Sequence, residues 1–532
     1  MEQDYLSLLK EFKQSKLNLD KFDPFYFNLL MDERKVYKSV CILGGGLAGY
    51  LTAIAFRKFF DIPVTVIESS AIPPIGVGEA TTPILEDYLF ESLGLDKKKF
   101  YDEVQPTWKL GIKFFWGLPG DYYFNYPFDG KDILSSIVHN NDINFCSLNS
   151  LLMSNDASFV AKIPNDKGYK YHSLSKSLKY AYHLENRKFI SYLKNQAMDF
   201  GVNFLDEVIV DSQLLTENGD IEYLTNDKGD KFEYEFYVDC SGFKSQLLEK
   251  KMGSGFISYK SSLLNDRAVV SEVPNNGDFK CYTLAESMDN GWCWNIPLRH
   301  EDHRGYVYSS DFCSDESAYQ EMLRKNPTMN QDARIIHFRS GRHEQFIKGN
   351  VVGIGNSYAF VEPLESTGVH MIIQEIIMLI NNFINLKGKP NLVAVLNKEM
   401  NEHWDYLRYF LSIHFKFNNK FDTPYWRACH ESIDSSGFDN FVKLYKEIGF
   451  LSKQDLTVRN IIKTSVKDNI FDLFGIDHIL LGQGILPDDL KNVRLNNKIE
   501  WEHQLENWHK IMSFTVPLKE DLNILLRNKE LI

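Results

Sequence analysis

Apolar and polar positions in the first half of the chain predict strands that alternate with helices. Residues 37–43 form a β-rich run that stops at glycines, residues 51–56 have the pattern of a buried helix, and residues 64–67 that of a buried strand. A strand, a glycine turn, a helix and a strand make the opening βαβ unit of a doubly wound parallel sheet. Later strands are predicted at 207–211, 236–239 and 350–354, separated by alternating apolar and polar stretches at 279–284 and 305–309.

The pattern changes near residue 370, after which apolar residues recur every three or four positions. This spacing is typical of amphipathic helices. A short helix and an irregular lead-in are also predicted at 1–36. The sequence has no internal repeat, low-complexity tract or flexible linker, so we expect interleaved lobes. The helices predicted in the last part of the chain are 370–386, 393–410, 437–448 and 501–512.

The composition narrows the class of protein. At about 150 residues per domain, 532 residues suggest two or three lobes. Hydrophobic residues at 44% and charged residues at 25% exclude wholesale disorder, and the aromatic content of 14% suits flat apolar pockets. The net charge of -13 argues against a nucleic-acid or anionic-membrane partner. The N-terminus lacks a signal-peptide pattern and the apolar window 40–56 is too short to span a bilayer, so we expect a cytoplasmic protein.

The cysteines and histidines predict neither a metal site nor a thiolate nucleophile. The seven cysteines are an odd number and include no C-x-x-C pair, which argues against a zinc cluster or a disulfide framework. Cys240 and Cys293 lack a histidine partner. The dispersed histidines on helical patterns are each expected to be satisfied core or surface residues, and they are His183, His370, His403 and His414.

The glycine turn after the first strand predicts a dinucleotide site. The run Gly44-Gly45-Gly46-Leu47-Ala48-Gly49 satisfies G-x-G-x-x-G, follows a strand and opens a helix. Its first two glycines allow a tight turn and the close approach of a pyrophosphate, and the third allows close packing of helix and strand. Glu68, at the end of the next strand, is suited to bind the ribose hydroxyls of an adenine nucleotide.

Two later segments favour FAD over NAD as that dinucleotide. Residues 237–243, a strand ending in Asp239-x-x-Gly242, resemble the second nucleotide-contact segment of FAD monooxygenases. Residues 350–357 resemble the third, although Asn356 stands where an aspartate is usual. The predicted cofactor-binding residues are Gly44, Gly46, Leu47, Ala48, Gly49, Glu68, Ala80, Val208, Asp239 and Asn356.

Three further segments carry a family resemblance: P-I-G-V-G-E-A-T at 74–81, W-x-W-x-I-P at 292–297 and E-P-L-E-S-T-G at 362–368. With them the sequence resembles the flavin-dependent halogenases, which include the tryptophan halogenases, from about residue 37 to about residue 485. The resemblance implies an enzyme that uses FADH2, O2 and chloride or bromide to halogenate an electron-rich aromatic ring through hypohalous acid. It also implies that Trp292 and Trp294 separate flavin from substrate, and that Thr367 and Gly368 bind the halide. By itself, a pair of tryptophans at i and i+2 on one strand more often belongs to a core.

The resemblance also implies two catalytic residues. The family's K-x-x-x-K-F pattern occurs at 109–114, so Lys109 would hold the hypohalous acid by a hydrogen bond or as a chloramine. Lys113, on the same predicted strand face, is the alternative. Glu365 would polarise the hypohalous acid or accept the proton that the ring loses. Without the resemblance, Lys109 would be taken for a surface lysine and Glu365 for a helix N-terminal charge.

The sequence departs from tryptophan halogenases where those enzymes contact their substrate. Their His-x-Phe aromatic pair corresponds to Tyr126-Pro127-Phe128, so only the phenylalanine is retained. The segment 466–471, where a glutamate and a Phe-Trp pair are expected to hold the amino-acid part of tryptophan, has neither tryptophan nor glutamate. An indole without that part, a phenol or a larger metabolite is therefore expected in preference to free tryptophan.

We therefore predict an α/β, FAD-dependent monooxygenase-type fold with a mainly helical C-terminal substrate lobe. Its parts are an N-terminal extension (1–36), an FAD-binding core with interleaved substrate-side segments (37–390) and a helical substrate-covering region (391–532). Because only one dinucleotide fingerprint is present, we expect a separate flavin reductase to supply FADH2 to a monomer or homodimer. The rival interpretations are an FAD-dependent hydroxylase or reductase, an inactive FAD-binding protein and a halogenase acting on a carrier-tethered substrate.

Overall fold

The structure of the protein is a computed structural model that describes residues 36–72, 78–130, 132–330, 332–466, 471–488 and 498–532. The predicted N-terminal helix, part of the 74–81 motif and residues 467–470 lie outside the described residues. The strands are β1 (Val40–Leu43), β2 (Val64–Glu68), β3 (Glu79–Ala80), β4 (Thr107–Lys109), β5 (Gly111–Phe115), β6 (Phe124–Pro127), β7 (Ala157–Asn165), β8 (Gly168–Ser173), β9 (Ala181–Leu184), β10 (Asn203–Asp206), β11 (Ile209–Leu214), β12 (Ile221–Asn226), β13 (Lys231–Glu233), β14 (Phe236–Asp239), β15 (Phe256–Ser258), β16 (Arg267–Pro274), β17 (Thr283–Met288), β18 (Gly291–Pro297), β19 (Glu301–Tyr308), β20 (Arg334–His337), β21 (Gly341–His343), β22 (Ile347–Lys348), β23 (Val351–Gly353), β24 (Ala359–Phe360) and β25 (Thr515–Pro517).

Helices cover the sheets and make up most of the last third of the chain. They are α1 (Leu47–Phe59), α2 (Ile84–Glu86, continued by a π-helix, Asp87–Ser92), α3 (Lys97–Val104), α4 (Ile133–Asn140), α5 (Leu148–Ser154), α6 (Asn186–Asp199), α7 (Asp315–Lys325), α8 (Gly368–Asn382), α9 (Pro390–Lys416), α10 (Pro424–Ser432), α11 (Ser436–Ile448), α12 (Leu456–Val466), α13 (Leu473–Gly482), α14 (Lys498–Met512) and α15 (Leu518–Arg527). Short 3₁₀ turns occur at Ile143–Phe145, Gly242–Lys244, Gly355–Ser357, Phe383–Asn385, Leu451–Lys453 and Lys529–Leu531.

The predicted doubly wound sheet is confirmed. Six strands lie in the order β10-β2-β1-β14-β23-β22. The first five are parallel, and β22 is antiparallel to β23. Strands β1 and β14 are buried along their whole length, which is typical of strands that helices cover on both faces. Helix α1 follows β1 and packs against α6 and α8.

The strand predicted at 207–211 is wrong in its bounds. The parallel sheet uses β10, which ends at Asp206, and β11 begins at Ile209. Strand β11 pairs with β12 and β13 in a separate antiparallel sheet. The backbone N–H of Glu207 bonds to the carbonyl of Glu68, so the pairing of β10 with β2 extends to the last residue of β2.

A second large sheet has the order β20-β16-β19-β18-β17-β5-β6. It carries both predicted tryptophans on its central strand β18. A small sheet has the order β3-β9-β4, and its strand β4 ends at Lys109, two residues before β5 of the second large sheet begins. The alternating stretches predicted at 279–284 and 305–309 correspond to β17 and β19, although β17 starts only at Thr283.

The helices predicted after residue 370 are confirmed with shifted ends. Helix α9 runs over 27 residues and is longer than predicted, while α8 ends earlier, at Asn382. One hydrophobic core includes residues on both sides of the predicted boundary at 390, such as Ile376 in α8 and Trp404 in α9. None of the described helices combines the length and apolarity that crossing a membrane requires.

Candidate active site

The glycine turn between β1 and α1 leaves open space beside one glycine. Gly44 has a φ of +119°, and a Cβ there would lie 2.3 Å from the carbonyl oxygen of Cys240. A Cβ at Gly49 would lie 2.1 Å from the carbonyl oxygen of Gly44. At Gly46, by contrast, no described atom lies within 4 Å of an added Cβ. Gly44 and Gly49 therefore allow the backbone to pack, and Gly46, at the start of α1, leaves room for a pyrophosphate.

Glu68 lies at the end of β2, as predicted, and faces the glycine turn. A Cβ at Gly45 would lie 1.6 Å from its Oε2. The Tyr50 hydroxyl donates a hydrogen bond to Oε2, and Lys194 Nζ lies 2.5 Å from Oε1. The carboxylate is thus held at the edge where the adenosine of a dinucleotide lies in this type of fold.

Asp239 and Asn356 occupy different environments. Asp239 is buried, and its Oδ2 accepts from the backbone N–H groups of Leu247 and Leu248 at 2.7 and 2.9 Å. Its Oδ1 accepts from the backbone and the hydroxyl of Ser241. This carboxylate therefore fixes the backbone that follows β14, whereas Asn356 is exposed in the turn after β23.

The other predicted cofactor residues lie at strand ends or at the start of α1. Leu47 and Ala48 begin α1, and a Cβ at Gly355 would lie 3.3 Å from the Cβ of Ala48. Ala80 pairs with His183 across β3 and β9. Val208 lies between β10 and β11, and its carbonyl accepts from the N–H of Asp227 at 3.1 Å.

Lys109 is a fully buried lysine. It ends β4, and its Nζ donates a 3.0 Å hydrogen bond to the carbonyl oxygen of Thr81. Nζ also lies 5.3 Å from the ring centroid of Phe128. Burial lowers the pKa of Lys109 from 10.5 to about 7, against the opposing effect of the Glu365 charge. Both protonation states of this amine are therefore populated near neutral pH.

Lys113 is not an equivalent neighbour of Lys109. The two lysines belong to β4 and β5, which lie in different sheets. Lys113 Nζ lies 3.5 Å from the carbonyl oxygen of Met153 and 4.2 Å from the ring centroid of Tyr282. The expectation that both lysines share a strand face is wrong, because the chain changes sheet at Leu110.

Glu365 forms a buried pair with His414. Glu365 Oε1 lies 2.7 Å from His414 Nε2, and the two side chains are 2% and 1% exposed. His414 Nδ1 lies 2.9 Å from the carbonyl oxygen of Phe410, which only accepts, so Nδ1 carries a proton. One further proton is then shared between the carboxyl and Nε2. Burial raises the pKa of Glu365, and His414 and Lys109 oppose that shift.

The turn that carries Glu365 leads into helix α8. Ser366 has a φ of +57°, a left-handed conformation that is uncommon for a residue with a side chain. Thr367 precedes the helix without a side-chain cap, and Gly368 is its first residue. Thr367 is buried, Gly368 is exposed, and no described atom lies within 4 Å of an added Cβ at Gly368. The uncapped N–H groups of the first turn are donors of the kind that an anion binds.

The two tryptophans are buried side by side on β18. Their ring centroids are 6.0 Å apart. Trp294 lies across Gly305 of β19, where a Cβ would lie 2.0 Å from its ring. Trp292 Nε1 donates a 2.6 Å hydrogen bond to Oε2 of Glu362, which also accepts from Asn265 Nδ2 at 2.7 Å. Burial raises the pKa of Glu362 to about 7.

A cavity of about 770 Å³ reaches Glu365. Its wall includes Tyr126 and Phe128, the predicted aromatic pair, and Phe471, which stacks on Phe410 at 4.0 Å. Lys109 does not contribute to this wall and lies behind Phe128. The segment expected to differ from tryptophan halogenases contributes Phe471, and residues 467–470 lie outside the described part.

Sequence reasoning missed three residues of this site. His414 is buried and hydrogen-bonded, as expected of a core histidine, but the sequence did not predict that its partner is Glu365. His370 lines the cavity, and its Nδ1 lies 2.8 Å from Thr82 Oγ1. Glu362 positions Trp292. The E-P-L-E motif contains Glu362 and could have suggested it, whereas no local signal links His414 to Glu365 across 49 positions.

One group of described residues could offer three ligand atoms to a metal. They are Glu272, Glu301 and His303, whose ligand atoms lie within 4.8 Å of one another. His303 Nδ1 accepts the N–H of Gly78 at 2.7 Å, so its proton is on Nε2, which lies 3.1 Å from Glu301. Both imidazole nitrogens are therefore already engaged.

A model of the tryptophan halogenase family matches residues 39–496. The chain belongs to this family. Tryptophan 6-halogenase SttH of Streptomyces toxytricini is 32% identical over 421 residues, which are 73% of this chain and 80% of SttH. Tryptophan 7-halogenase RebH of Lentzea aerocolonigenes is 30% identical over 442 residues, 76% of this chain and 81% of RebH. The crystal structure of MibH, a lathipeptide tryptophan 5-halogenase, matches with a TM-score of 0.87 and 36% identity, covering 94% of this chain and 96% of MibH.

These similarities confirm the predicted resemblance, fold class and enzyme class. As a flavin-dependent halogenase of the tryptophan halogenase family, the enzyme uses FADH2, O2 and a halide. The family acts on aromatic substrates such as tryptophan and works with a separate flavin reductase. Membership in the family argues against a hydroxylase and against a protein that only binds FAD.

Proposed function

We propose that this halogenase modifies an electron-rich aromatic ring, such as an indole or a phenol, in the cavity beside Glu365, with Lys109 and Glu365 as its catalytic residues. The observation that carries the proposal is the buried set formed by Lys109, Glu365 and His414. Desolvated charged groups are costly to bury and cluster at functional sites. Here the pKa shifts of the amine and the carboxyl bring both groups toward neutral pH.

Lys109 would hold the hypohalous acid. As an ammonium it donates a hydrogen bond to the oxygen and leaves the halogen electrophilic. When the ring attacks the halogen, the halogen–oxygen bond breaks and the leaving oxygen takes a proton from the amine to become water. A pKa of about 7 suits this exchange at neutral pH.

Glu365 would accept the proton that the ring loses when it becomes aromatic again. Its partner His414 is held by the Phe410 carbonyl and shares one proton with the carboxyl. The net change is one ring hydrogen replaced by halogen and one water formed. Return of the ring proton to the amine restores the starting protonation of the site.

Reduced FAD, when bound, would supply two electrons to O2, so that O2 oxidises the halide to hypohalous acid and its second oxygen atom leaves as water. The residues that would hold it are Gly44, Gly46, Leu47, Ala48 and Gly49 in the turn, Glu68 at β2, Ala80, Val208, Asp239 and Asn356. The room at Gly46 fits a pyrophosphate. Thr367 and Gly368 would bind the halide through N–H groups at the start of α8.

The buried tryptophans would close the direct route from flavin to ring. Trp292 is fixed by Glu362, and Trp294 is fitted over Gly305. Rigid aromatic walls of this kind exclude water and keep the substrate where only the small hypohalous acid reaches it.

We propose further that the ring belongs to a molecule larger than free tryptophan. The cavity of about 770 Å³ is in the upper part of the range of about 300–1,000 Å³ for small-molecule pockets. The segment 466–471 lacks the tryptophan and glutamate expected to hold a free amino acid. MibH, at 36% identity, is a lathipeptide halogenase, which favours an aromatic residue within a peptide. A carrier-tethered substrate is the second candidate.

The test compares product formed per flavin oxidised in wild type, Lys109→Ala and Glu365→Gln, with 3-methylindole, bromide and FADH2 from an added reductase. We expect Lys109→Ala to make no halogenated product and Glu365→Gln to be slower by about 10²-fold. Flavin oxidation should continue in both variants. Lys113→Ala is the matched control and should keep its coupling. Wild-type coupling in Lys109→Ala would contradict the proposal.

A further inference from the structure

A basic surface leads from a projecting hairpin to the mouth of the cavity. Strands β7 and β8 form this hairpin, and we call residues 162–179 the basic hairpin. It carries five lysines and one aspartate, a charge of +4, in a chain whose net charge is -13. All five lysines are exposed, and they are Lys162, Lys167, Lys170, Lys176 and Lys179.

Four of these lysines interact with no described carboxylate, and the charge of the fifth, Lys179, lowers the pKa of Asp87 against the effect of burial. Within the described residues, none of the five makes an ion pair; Lys162 only lies over the ring of Tyr169, at 4.0 Å. Elsewhere, lysines such as Lys228 and Lys280 pair with carboxylates at 2.9 and 3.0 Å. Apart from Lys179, the charges of the basic hairpin are thus available to a partner.

The basic hairpin continues directly into the cavity wall. Ser175, Leu178 and Lys179 line the cavity. Lys170 lies three residues before the end of β8, a distance of about 10 Å along an extended strand. If one side chain of an extended peptide enters the cavity, the peptide residues a few positions away from it would therefore lie beside the lysines.

The same wall also carries five acidic residues, of which Glu365 pairs with His414, Asp87 lies near Lys179, and Glu86 and Asp472 are engaged elsewhere. Glu86 pairs with Lys97 at 2.7 Å, and Asp472 accepts from the N–H groups of Phe474 and Gly475 at the start of α13. Carboxylates with partners of their own attract the lysines less, so these groups cancel only part of the positive charge of the basic hairpin.

From these observations we infer that the basic hairpin binds an acidic stretch of a polypeptide substrate whose aromatic residue enters the cavity. The inference rests on the proposed function and adds the chemistry of the flanking residues. At about 3.3 Å per residue, the acidic side chains would lie about three to eight positions from the aromatic residue. Like charges on one surface raise the local concentration of an oppositely charged partner and speed its association.

The alternative role of these lysines is protection of an edge. Strand β8 is the outer strand of the sheet β25-β7-β8. Lysines on edge strands prevent pairing with other chains. This role predicts no preference among substrates, so an experiment separates the two.

The experiment uses twelve-residue peptides with one tryptophan and, four positions away, a block of four glutamates or four glutamines. It measures kcat/KM for both peptides and for 3-methylindole at fixed bromide. We expect the glutamate peptide to be favoured by about tenfold at low ionic strength. The advantage should shrink when potassium glutamate raises the ionic strength.

The variant Lys167→Gln/Lys170→Gln/Lys176→Gln should lose this advantage and keep its rate with 3-methylindole. The matched control, Lys231→Gln/Lys250→Gln/Lys398→Gln, changes the net charge equally at exposed lysines outside the cavity wall and should keep the advantage. Equal kcat/KM for the two peptides, or equal loss in both variants, would overturn the inference. Absence of product from every substrate, 3-methylindole included, would instead overturn the proposed function.

Discussion

Replacing Lys109 by methionine should stabilise the protein while it removes halogenation. Methionine fills a similar volume without a charge. In the native structure, burial lowers the pKa of Lys109 from 10.5 to about 7. At about 1.4 kcal/mol per unit, the buried amine reduces the free energy of unfolding by about 5 kcal/mol at or below pH 7. The substitution also leaves the carbonyl of Thr81 without its donor, which costs about 1 kcal/mol. The net gain at pH 7 is therefore about 4 kcal/mol.

The gain should depend on pH with a definite sign. Between pH 7 and 10.5 the unfolded lysine holds its proton and the folded lysine does not, so wild-type stability rises with pH. The advantage of Lys109→Met should consequently shrink by about 2 kcal/mol between pH 7 and pH 9. Well below pH 7 the lysine is protonated in both the folded and the unfolded state, and the advantage should approach a constant value.

Urea unfolding of both proteins at pH 6, 7, 8 and 9 measures these differences. Lys113→Met is the control, since burial also lowers the pKa of Lys113, which does not line the cavity. It should gain stability but keep product formation. A Lys109→Met protein that is less stable than wild type at pH 7, or whose difference is independent of pH, would refute the reasoning.

Three further results are expected. Gly46→Val should abolish FAD binding in a flavin-fluorescence titration without changing the circular dichroism, because its side chain occupies the space beside the turn; unchanged affinity would rule out this turn as the site. Glu362→Leu should reduce product per flavin oxidised, since Trp292 loses the buried acceptor that fixes its indole; Glu344→Leu, at an exposed position, should not. In direct competition 3-methylindole should react faster than free tryptophan, whose charged groups would be desolvated without partners, and a preference for tryptophan would reverse this reading.

The parts of the fold that the sequence predicts well are those with local causes. The apolar runs of β1 and β2 and the glycines between β1 and α1 set the βαβ unit without reference to distant residues. The strand at 207–211 was wrongly bounded because its sheet depends on pairing. Whether a short alternating segment joins β2 or β12 is decided by partners that lie far away in sequence.

In the candidate site, too, the sequence predicts features that have a local pattern and misses those that depend on distant residues. Motifs identify Lys109 and Glu365 as candidates, but the pairing of Glu365 with His414 joins positions 49 residues apart and has no local pattern. Glu362 and Trp292 are likewise joined only by folding, across 70 positions. The interpretation of Lys113 failed because one residue, Leu110, separates two strands that enter different sheets.

The pairing of β25 with β7 has a consequence for how the protein is made. Thr515 pairs with Ala161, and the N–H of Lys162 bonds to the carbonyl of Phe514 at 2.8 Å. A ribosome that adds about 5–20 residues per second needs roughly 20 to 70 s to translate the stretch between these strands. During that interval the edge of β7 that later pairs with β25 has no partner. An unpaired edge readily adds a strand from another chain. The last strand thus completes a sheet begun early in translation, and a message truncated before residue 515 would release a chain prone to aggregate through β7.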